Sequence, residues 1–347
     1  QGTTPGLSVV IPSGEIGSDP TIKVRGQIGS IDGSSTPLIL LDNVEIPSIQ
    51  MVNPDDVESI TVLKDAASAS IYGAKAAFGV VLITSKKGAR NEKVEVSYSG
   101  NFSWQNISKK MEMAGVDGIQ YRIDALKRAK GTLYGAFWYV DETSLERAKE
   151  WENTWGGKLG VNDPFVYGRD WYASNRKFSI RTFDPYDYMI REWTPSQTHN
   201  ISLSGKSGKT TFNVGLGYLD QNGLMKVAKH DDFRRWNGSI RLSTEINKYI
   251  TARAGANYSK RNKRYAYATT STTADPWLYL YRWDSTYPMG YDENGNEMRS
   301  PVSEVHQANT ANKEDNYLSF NVGATLKITK DWKFDIDYTY AGEDQIW

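Results

Sequence analysis

Few residues in this chain have types and spacings that could support catalysis. Ser207-Gly208-Lys209-Thr210 resembles the end of a phosphate-binding loop, but Leu203 stands where such a loop needs its first glycine. The segment also lies between two predicted strands and not before a helix. Acidic pairs such as Asp231-Asp232 suit solvated turns, and no nucleophile–base–acid constellation emerges. We therefore predict that the protein is not an enzyme.

Metal chemistry has equally little support. The chain contains no cysteine, and its three histidines, His199, His230 and His306, form no ligand pattern. The segment 292–297 could be considered a calcium loop, but its glycine stands at the fourth position and an EF-hand needs it at the sixth. A hairpin turn at Asn294-Gly295 is the favoured interpretation, with calcium as a minor alternative. We predict no metal site and no cofactor.

Composition removes further classes of protein. The chain has 347 residues and a mass of 39.0 kDa, and its 41 basic and 41 acidic side chains cancel. A nucleic-acid binder normally carries a clear positive excess, so this class is excluded. No run of ~20 apolar residues could form a transmembrane helix. A transmembrane β-barrel remains open, because its alternating strands give a low mean hydropathy.

From residue 93 onward, apolar and polar residues alternate with a period of two. In 332–340, for example, Trp332, Phe334 and Ile336 alternate with lysine and aspartate. Segments of ~10 residues match a tilted membrane-spanning strand. The predicted strands are 93–104, 199–206, 209–220, 234–246, 249–260, 317–328 and 332–340. A soluble β-sandwich is the alternative, but aromatic residues at the segment ends favour the membrane.

The connections between these segments also favour a barrel. Residues 204–209 and 245–249 are predicted as tight turns. The remaining connections are long insertions over 105–197, 221–233 and 261–316. Short turns on one side and long loops on the other are typical of outer-membrane barrels, so the long loops are expected to be extracellular. Amphipathic helices are predicted over 116–130 and 143–151.

The first 90 residues have a different pattern, and we predict that 1–90 and 91–347 are separate domains. Short apolar runs punctuated by glycine and proline are typical of a small mixed α/β unit. Its predicted strands are 21–26, 37–42, 60–63 and 80–84. A helical turn is predicted at Asn53-Pro54-Asp55-Asp56, and a short Ala/Ser-rich helix over 64–72 ends at Gly73.

Three stretches of the first domain carry a family resemblance. They are IKVRG at 22–26, PLILLDNV at 37–44 and NPDDVESITVLKDAASASIYGAKAAFGVVLITSKKG at 53–88. These stretches resemble the plug domain of TonB-dependent outer-membrane transporters, in the SusC/RagA-like branch found in Bacteroidetes. Residues 198–220 are similar to the early barrel strands of that family. The resemblance implies a multi-pass transmembrane antiparallel β-barrel of about 22 strands, of which about seven are here, with a mixed α/β plug.

Physical constraints agree that the predicted barrel is incomplete. Seven is an odd number of strands, whereas single-chain bacterial barrels have an even number. A barrel of about eight strands leaves an interior only just wide enough for side chains, so the plug cannot fit inside it. An unpaired strand edge is untenable in lipid, which offers no hydrogen bonds. We therefore expect the chain to be a fragment or a cleaved piece, completed by other strands.

The resemblance also implies functional residues in the plug. Lys64-Asp65 with Tyr72-Gly73 resembles the part of the plug that must shift when an energising partner pulls on the N-terminus. The alternative is that the alanine-rich helix simply packs against a sheet. Arg25 and Glu58 are expected to hold the plug through polar contacts with the barrel wall. The full set of plug residues is Arg25, Gly26, Asp42, Glu58, Lys64, Asp65, Tyr72, Gly73 and Gly79.

The long insertions are rich in aromatic residues. Sugar rings and peptide side chains both pack on aromatic faces, so these residues are candidate contacts for a substrate or a partner. The candidates are Trp138, Trp155, Trp171, Trp193, Trp277 and Trp283. The alternative is that these rings pack the loops themselves.

The resemblance implies TonB-dependent import of oligomeric nutrients across the cell outer membrane, with glycans favoured over peptides. The implied partners are a SusD-like surface lipoprotein, TonB energised by the inner-membrane complex, the oligosaccharide or peptide substrate, and outer-membrane lipid. A dimer of transporter–lipoprotein pairs is a further arrangement that the family allows. No nucleic acid is expected as a partner.

Three alternative functions remain open at this stage. A peptide importer of the same family is the first. The second, from a different class, is a surface-exposed glycan-binding β-protein without transport. The third is a secreted glycosidase, which would need two indispensable carboxylates.

Overall fold

A computed structural model of the chain describes residues 7–10, 16–24, 36–86, 88, 93–129, 138–267, 285–329 and 331–347. Within these ranges the strands form a small mixed unit, a hairpin and a large antiparallel sheet. We call the described residues of 7–86 the plug unit and the seven-stranded sheet the wall. The boundary of the first domain at residue 90 stays a prediction.

The plug unit contains two small sheets. β1 (Leu7–Val10) pairs antiparallel with β2 (Thr21–Val24). The second sheet has the order β4-β3-β6-β5, with β3 and β6 parallel. Its strands are β3 (Leu38–Leu41), β4 (Val44–Glu45), β5 (Val57–Leu63) and β6 (Val80–Ser85). β3 and β6 lie at the centre of this sheet, which explains their nearly continuous apolar sequences.

Short helical turns complete the plug unit. Helix α1 (Ala66–Ala69) continues into a 3-10 turn over Ser70–Ala76. That turn is interrupted at Gly73, whose φ of 68° is outside the helical region. The helix predicted over 64–72 is therefore present, but only its first turn is α-helical. The helical turn predicted after Asn53 is a 3-10 turn over Pro54–Asp56, capped by the Asn53 side chain.

The wall has the strand order β15-β14-β13-β12-β11-β10-β7, and every neighbouring pair is antiparallel. Its strands are β7 (Glu95–Gln105), β10 (Thr194–Ser207), β11 (Thr210–Asn222), β12 (Asp232–Glu245), β13 (Ile250–Tyr267), β14 (Asn309–Lys327) and β15 (Lys333–Ile346). These are the strands that the alternation predicts, and they form the meander of an antiparallel barrel wall.

β13 and β14 are the longest wall strands and extend well beyond their predicted bounds, and β10 and β15 are also longer than predicted. β13 has 18 residues and β14 has 19, and the two stay in register along their length. Since about 9–11 residues cross a bilayer, residues 260–267 and 309–316 form a two-stranded ribbon beyond the apolar band. Here the outer face is polar, and Lys260 forms an ion pair with Glu314 at 2.8 Å. Apolar and polar residues do not alternate in this ribbon, so the sequence pattern predicts strands that are shorter than the observed ones.

Side chains of the wall alternate between two faces. On β14, Leu318 and Val322 are exposed on the outer face, whereas Ser319 is buried on the inner face. Near the long insertions, ring centroids 4.3 to 6.5 Å apart form an outer ladder. Its members are Tyr98, His199, Tyr218 and Trp236. Amphipathic rings favour the membrane interface, so this ladder marks one edge of the lipid-facing band.

The insertions contain the remaining elements. These are α2 (Gly115–Arg128), α3 (Glu142–Trp155), β8 (Trp171–Ala173), β9 (Lys177–Ser179), α4 (Pro185–Met189) and α5 (Pro301–Gln307). The helices predicted over 116–130 and 143–151 are α2 and α3. None of the helices in the described ranges has the length and apolar character needed to cross a membrane.

We expect the substitution Val322→Arg to destabilise the wall. Val322 is exposed on the outer face of β14, and an arginine at the midplane of a membrane barrel costs about 2–4 kcal/mol. Thr339→Arg is the matched control, because Thr339 lies on the neighbouring strand but on the inner face. The free energy of unfolding in lipid vesicles, measured by urea titration, should fall only for Val322→Arg. Equal losses would contradict a lipid-facing outer surface.

Candidate functional site

The plug unit contacts the inner face of the wall mainly through carboxylates. Aspartates of the plug unit face hydroxyl and guanidinium groups of the wall. We call these contacts the seat. The carboxylates are Asp19, Asp42, Asp55 and Asp56, and the wall residues are Ser99, Ser239, Arg241 and Arg261.

Asp42 joins the plug unit to the wall. It occupies the tight turn between β3 and β4, where Asp42 and Asn43 have φ values of 49° and 67°, as a type I′ turn requires. Its carboxylate accepts the Ser85 N–H at 2.9 Å and the Ser85 hydroxyl at 2.5 Å. Nε of Arg241 donates to the same carboxylate at 3.1 Å. One side chain therefore fixes both the end of β6 and the wall.

Asp56 is the most deeply buried carboxylate of the seat, with 5% exposure. The hydroxyl of Ser239 donates to its Oδ2 at 2.7 Å, while Oδ1 has no donor among the described residues. The wall residue opposite is Gly215, where a Cβ would lie 2.4 Å from both carboxylate oxygens. Only glycine at this position lets the carboxylate reach the wall.

Burial raises the pKa of Asp56, because the charged carboxylate loses hydration that the seat only partly replaces. The hydrogen bond from Ser239 and the positive charge of Arg241 act in the opposite direction. The seat thus contains one carboxylate whose neutral form is stabilised relative to an exposed aspartate.

Polar contacts extend along the seat, and apolar contacts accompany them. The hydroxyl of Ser99 donates to Asp55, and Nη1 of Arg261 lies 3.5 Å from Oδ2 of Asp19. Tyr317 on β14 is 4% exposed, and its ring packs into the apolar cluster of the plug unit. The buried ring of Phe233 on β12 lies against Gly17. The plug unit therefore rests on the wall through scattered polar contacts and buried aromatic rings.

Glu58 and Arg25, which are expected to hold the plug, are not among the seat contacts of the described residues. Glu58 is exposed on β5, and Arg25 lies outside the described residues, as does Gly26. The polar contact predicted between plug and wall is present, but other side chains supply it. The role of Glu58 and Arg25 stays a prediction.

The other predicted plug residues lie around α1. Tyr72 is half-buried against the cluster formed by Leu40, Ala69, Ala76 and Val80. Asp65 begins α1, and its main-chain carbonyl accepts the hydroxyl of Ser68 at 2.9 Å. Lys64 is half-buried, Gly73 is exposed, and Gly79 is buried at the start of β6. Close packing of small residues against the sheet is thus observed, whereas a shift of this region stays a prediction.

The insertions between wall strands fold together into one body, which we call the cap. It comprises the described residues of 106–193, 223–231 and 285–308. One apolar cluster combines Met189 from the first insertion, Met225 from the second, and Met289 and Val302 from the third. The main chain links them too, since the Phe183 N–H donates to the carbonyl of Ser285 at 3.0 Å. Because the insertions share a core, they form a common outer surface.

One of the candidate tryptophans, Trp138, belongs to the core of the cap. It is 3% exposed and packs with Phe165 and Met298. Another tryptophan of the cap, Trp151, is also buried and donates its Nε1–H to the fully buried Asp170 at 2.7 Å. Trp138 therefore packs inside the insertions, as the alternative to a substrate contact predicts.

Other candidate aromatics remain accessible on the cap. Trp155 ends α3 with 37% exposure, and the guanidinium of Arg169 lies 5.3 Å from its ring. The half-buried Trp171 packs edge-to-face with the exposed Tyr167, with centroids 5.0 Å apart. Arg169 belongs to the same 167–171 turn, so these rings share one strip of the surface. We call Trp155, Tyr167, Arg169 and Trp171 the aromatic strip.

Of the three remaining candidates, Trp193 lies within the described residues and outside the aromatic strip. Trp193 is exposed immediately before β10, on a strand whose odd-numbered residues, such as Ile201, face outward. This position suits the membrane interface as well as a substrate. Trp277 and Trp283 lie outside the described residues.

The candidate calcium segment is a turn that satisfies its own carboxylate. Oδ1 of Asp292 accepts the N–H groups of Asn294 and Asn296 at 2.9 and 2.8 Å. The Gly295 N–H donates to the Asp292 carbonyl at 3.1 Å, so the predicted hairpin turn is confirmed. Across the part of the chain that the structure describes, no group of three or more potential ligands is arranged for a metal ion.

Sequence reasoning missed most of the seat. Asp55 and Asp56 are predicted only as part of a helical turn and Arg241 only as part of a strand, and Arg261 is the first residue of the insertion predicted over 261–316. One signal was available: an arginine at an inward-facing position of a barrel strand needs an acidic partner or water inside the barrel. The partner itself could not be named, because it comes from a distant part of the chain.

Known proteins resemble this chain in sequence and in fold. Residues 1–80 match the family model of the TonB-dependent receptor plug domain. The TonB-dependent receptor SusC of Bacteroides thetaiotaomicron is 28% identical over 275 residues, covering 76% of this chain and 23% of SusC. The TonB-dependent receptor P26 of Formosa agariphila is 27% identical over 328 residues, covering 92% of this chain and 29% of that receptor.

Solved structures share the fold. A structure of the RagAB peptide transporter superposes with a TM-score of 0.67 at 22% identity, over 97% of this chain and 38% of that one. The RagAB peptide importer in a closed-closed state gives a TM-score of 0.66, also at 22% identity, over 99% of this chain and 39% of that one. The present chain spans less than a third of the curated relatives described above.

A plug sheet seated on the polar face of an antiparallel, lipid-facing wall defines an outer-membrane receptor of the TonB-dependent class. Within that class, the chain resembles SusC in sequence and the RagAB structures in fold, so its similarity is to the SusC/RagA-like branch. The predicted family, fold class and outer-membrane location are thereby confirmed.

The contact between Asp42 and Arg241 should contribute to the stability of the seated plug. We expect Asp42→Asn and Arg241→Gln to act non-additively, with a coupling energy of about 1 kcal/mol, because each removes the same charged hydrogen bond. Protease cleavage of the plug as a function of urea, in the detergent-solubilised receptor, measures the free energy of each variant. Arg253→Gln is the matched control, since Arg253 pairs with Asp335 and Asp337 of the wall. Strict additivity would contradict the contact.

Seating of the plug should depend on pH through Asp56. Its pKa is raised above the ordinary value of 3.8, so the seated plug favours the protonated carboxyl. This contribution is fully present below 3.8 and is lost as the pH rises through the raised pKa. Asp56→Asn resembles the protonated form and should make the seated plug more stable at neutral pH and flatten this pH dependence.

The same protease assay, repeated from acidic to neutral pH, measures the effect of Asp56→Asn. The exposed Glu58→Gln controls for the loss of one negative charge on the plug unit. A plug that is less stable at neutral pH in Asp56→Asn than in the wild type would contradict the assignment.

Proposed function

We propose that the protein imports oligomeric nutrients across the outer membrane, with energy from TonB and with glycans favoured over peptides. In this proposal the wall is part of the passage, the plug unit closes it, and a SusD-like lipoprotein closes over the cap. The protein binds, seals and releases, and it performs no covalent chemistry. The observation that carries the proposal is the polar seat.

A polar seat suits a plug that must leave its place and return. Contacts such as Ser239 to Asp56 can be exchanged for water when the plug moves, whereas a continuous apolar contact would expose apolar surface. The seat also contains acceptors on one side and donors on the other, so its contacts re-form only in one register. A pull on the N-terminal part of the plug unit would break these contacts one after another.

The cap supports the choice of substrate. The aromatic strip presents Trp155 and Tyr167 to solvent, and the guanidinium of Arg169 lies 5.3 Å from the Trp155 ring. Aromatic faces bordered by hydrogen-bonding groups are suited to sugar rings, which have apolar faces and hydroxyl edges. Binding at the cap promotes plug movement only if the moved state binds the substrate differently.

Uptake by the bacterium that makes the receptor tests this function. We expect cells lacking the receptor, and cells lacking TonB, to lose uptake of fluorescently labelled oligosaccharides while uptake of labelled peptides continues. The physical reason is that the seated plug blocks the passage until TonB pulls it.

Two results would contradict the proposal in different ways. Loss of peptide uptake with glycan uptake intact would support the peptide importer. Surface binding of glycans that requires the receptor, with uptake unchanged in its absence, would support a glycan-binding protein without transport.

A further inference from the structure

A cavity of 540 Å³ lies between the plug unit and the inner face of the wall. On the plug side it is bounded by Gly17–Asp19 and Ser48. On the wall side it is bounded by inward-facing residues of β13, β14 and β15, including the base of the ribbon. Because the ribbon leads to the cap, the cavity lies on the cap side of the plug, where a substrate would first meet it.

Arg261 lines this cavity, and its contacts with the surrounding carboxylates are loose. It is 8% exposed, yet its ion contacts with Asp315, Asp19 and Glu343 are long, at 3.3, 3.5 and 3.8 Å. Guanidinium–carboxylate bonds are normally 2.7–2.9 Å. In addition, its Nε–H has no acceptor among the described residues. A buried guanidinium with loose partners is suited to receive a further anionic group.

Positive charge exceeds negative charge around Arg261 even while Asp19 is present. The cavity is lined by the cations Arg261, Lys263 and Lys313, and by the acids Asp19, Asp315 and Glu343. Arg235, the cross-strand partner of Arg261, adds a further cation. Of the acids that line the cavity, only Asp19 belongs to the plug unit, and its side chain is 51% exposed. If Asp19 withdraws, the positive excess of the wall grows by one charge.

The plug segment that carries Asp19 has contacts with the plug unit and with the wall. Ser48 donates its hydroxyl to Asp19, and Gln50 donates to the carbonyl of Ser18 at 2.7 Å. Gly17, with a φ of 68°, lies against the ring of Phe233, where a Cβ would be only 2.5 Å from the ring. Release of Asp19 from Arg261 would remove the charged contact between this segment and the wall.

We propose that this cavity binds a carboxylate of the substrate, which replaces the carboxylate of Asp19 on Arg261. This inference rests on the proposed import function and names a chemical feature of the imported molecule. The exchange preserves the net charge of the cavity while it detaches the plug segment Gly17–Asp19 from the wall. The carboxylate belongs either to a uronic acid of a glycan or to the C-terminus of a peptide.

Binding to the detergent-solubilised, full-length receptor tests the proposal by isothermal titration calorimetry. The probes are an oligogalacturonide and its methyl ester, and a short peptide and its C-terminal amide. At least one acid should bind about ten-fold more tightly than its neutral counterpart, since a charged hydrogen bond to a buried guanidinium is lost. This comparison needs no variant, so it does not depend on whether a mutant folds.

Variants then locate the effect. Arg261→Gln should abolish the preference for the acid. Asp19→Asn should strengthen binding of the acid several-fold, because the competing carboxylate is gone. Arg253→Gln should change neither, although Arg253 lies on the same strand and the same face. A purely structural role of Arg261 and Asp19 would weaken binding in both variants.

The outcomes distinguish a uronic acid from a peptide C-terminus as the source of the carboxylate. They also distinguish failure of the cavity proposal from failure of the import function. Preference for the uronide alone assigns the cavity to an acidic glycan, and preference for the free peptide alone assigns it to a peptide terminus. Equal binding of acids and neutral probes, no binding of either acid, or an acid preference that persists in Arg261→Gln would overturn the cavity proposal. Loss of TonB-dependent uptake with the acid preference intact would overturn only the import function.

Discussion

Lipid offers no hydrogen bonds, and this one constraint determines how the rest of the molecule is arranged. Each wall strand must satisfy its main chain through its neighbours, which the continuous antiparallel registers from β7 to β15 achieve. The period-two geometry of a strand then directs apolar side chains to lipid and leaves polar ones on the inner face. The plug unit therefore meets a surface of hydroxyls and guanidiniums, and it holds that surface with aspartates.

The same geometry places the cap, the plug unit and the wall in different positions. The turns on one side of the wall are short, while the insertions on the other side combine into the cap around one apolar cluster. The ribbon of β13 and β14 connects the two, and its inner face borders the cavity around Arg261. In the proposed import function, a substrate that leaves the cap would reach this charged cavity before the seat contacts of Asp42 and Asp56.

Sequence alone predicts the wall strands because consecutive residues face lipid and the polar interior in turn, and this produces an alternating pattern. The prediction fails where the alternation is absent. Residues 260–264 are polar on both faces, so the alternation does not predict the ribbon. In the same way, an inward-facing arginine such as Arg241 has the same sequence pattern whether water or a plug lies beside it. Trp138 was a candidate contact because composition cannot distinguish a ring inside a loop from one on its surface. The role of Asp56 needed a partner, Ser239, far away in the chain.

The central claim is that the plug is held by exchangeable polar contacts on a wall that is itself held by main-chain pairing. Single-molecule force spectroscopy tests this most directly, with the receptor in a lipid bilayer and the force applied to the N-terminal part of the plug. We expect the plug to leave the wall at a lower force than the force that extracts the first wall strand. The wall strands should remain paired after the plug has left. Extraction of a wall strand before or together with the plug would contradict the central claim.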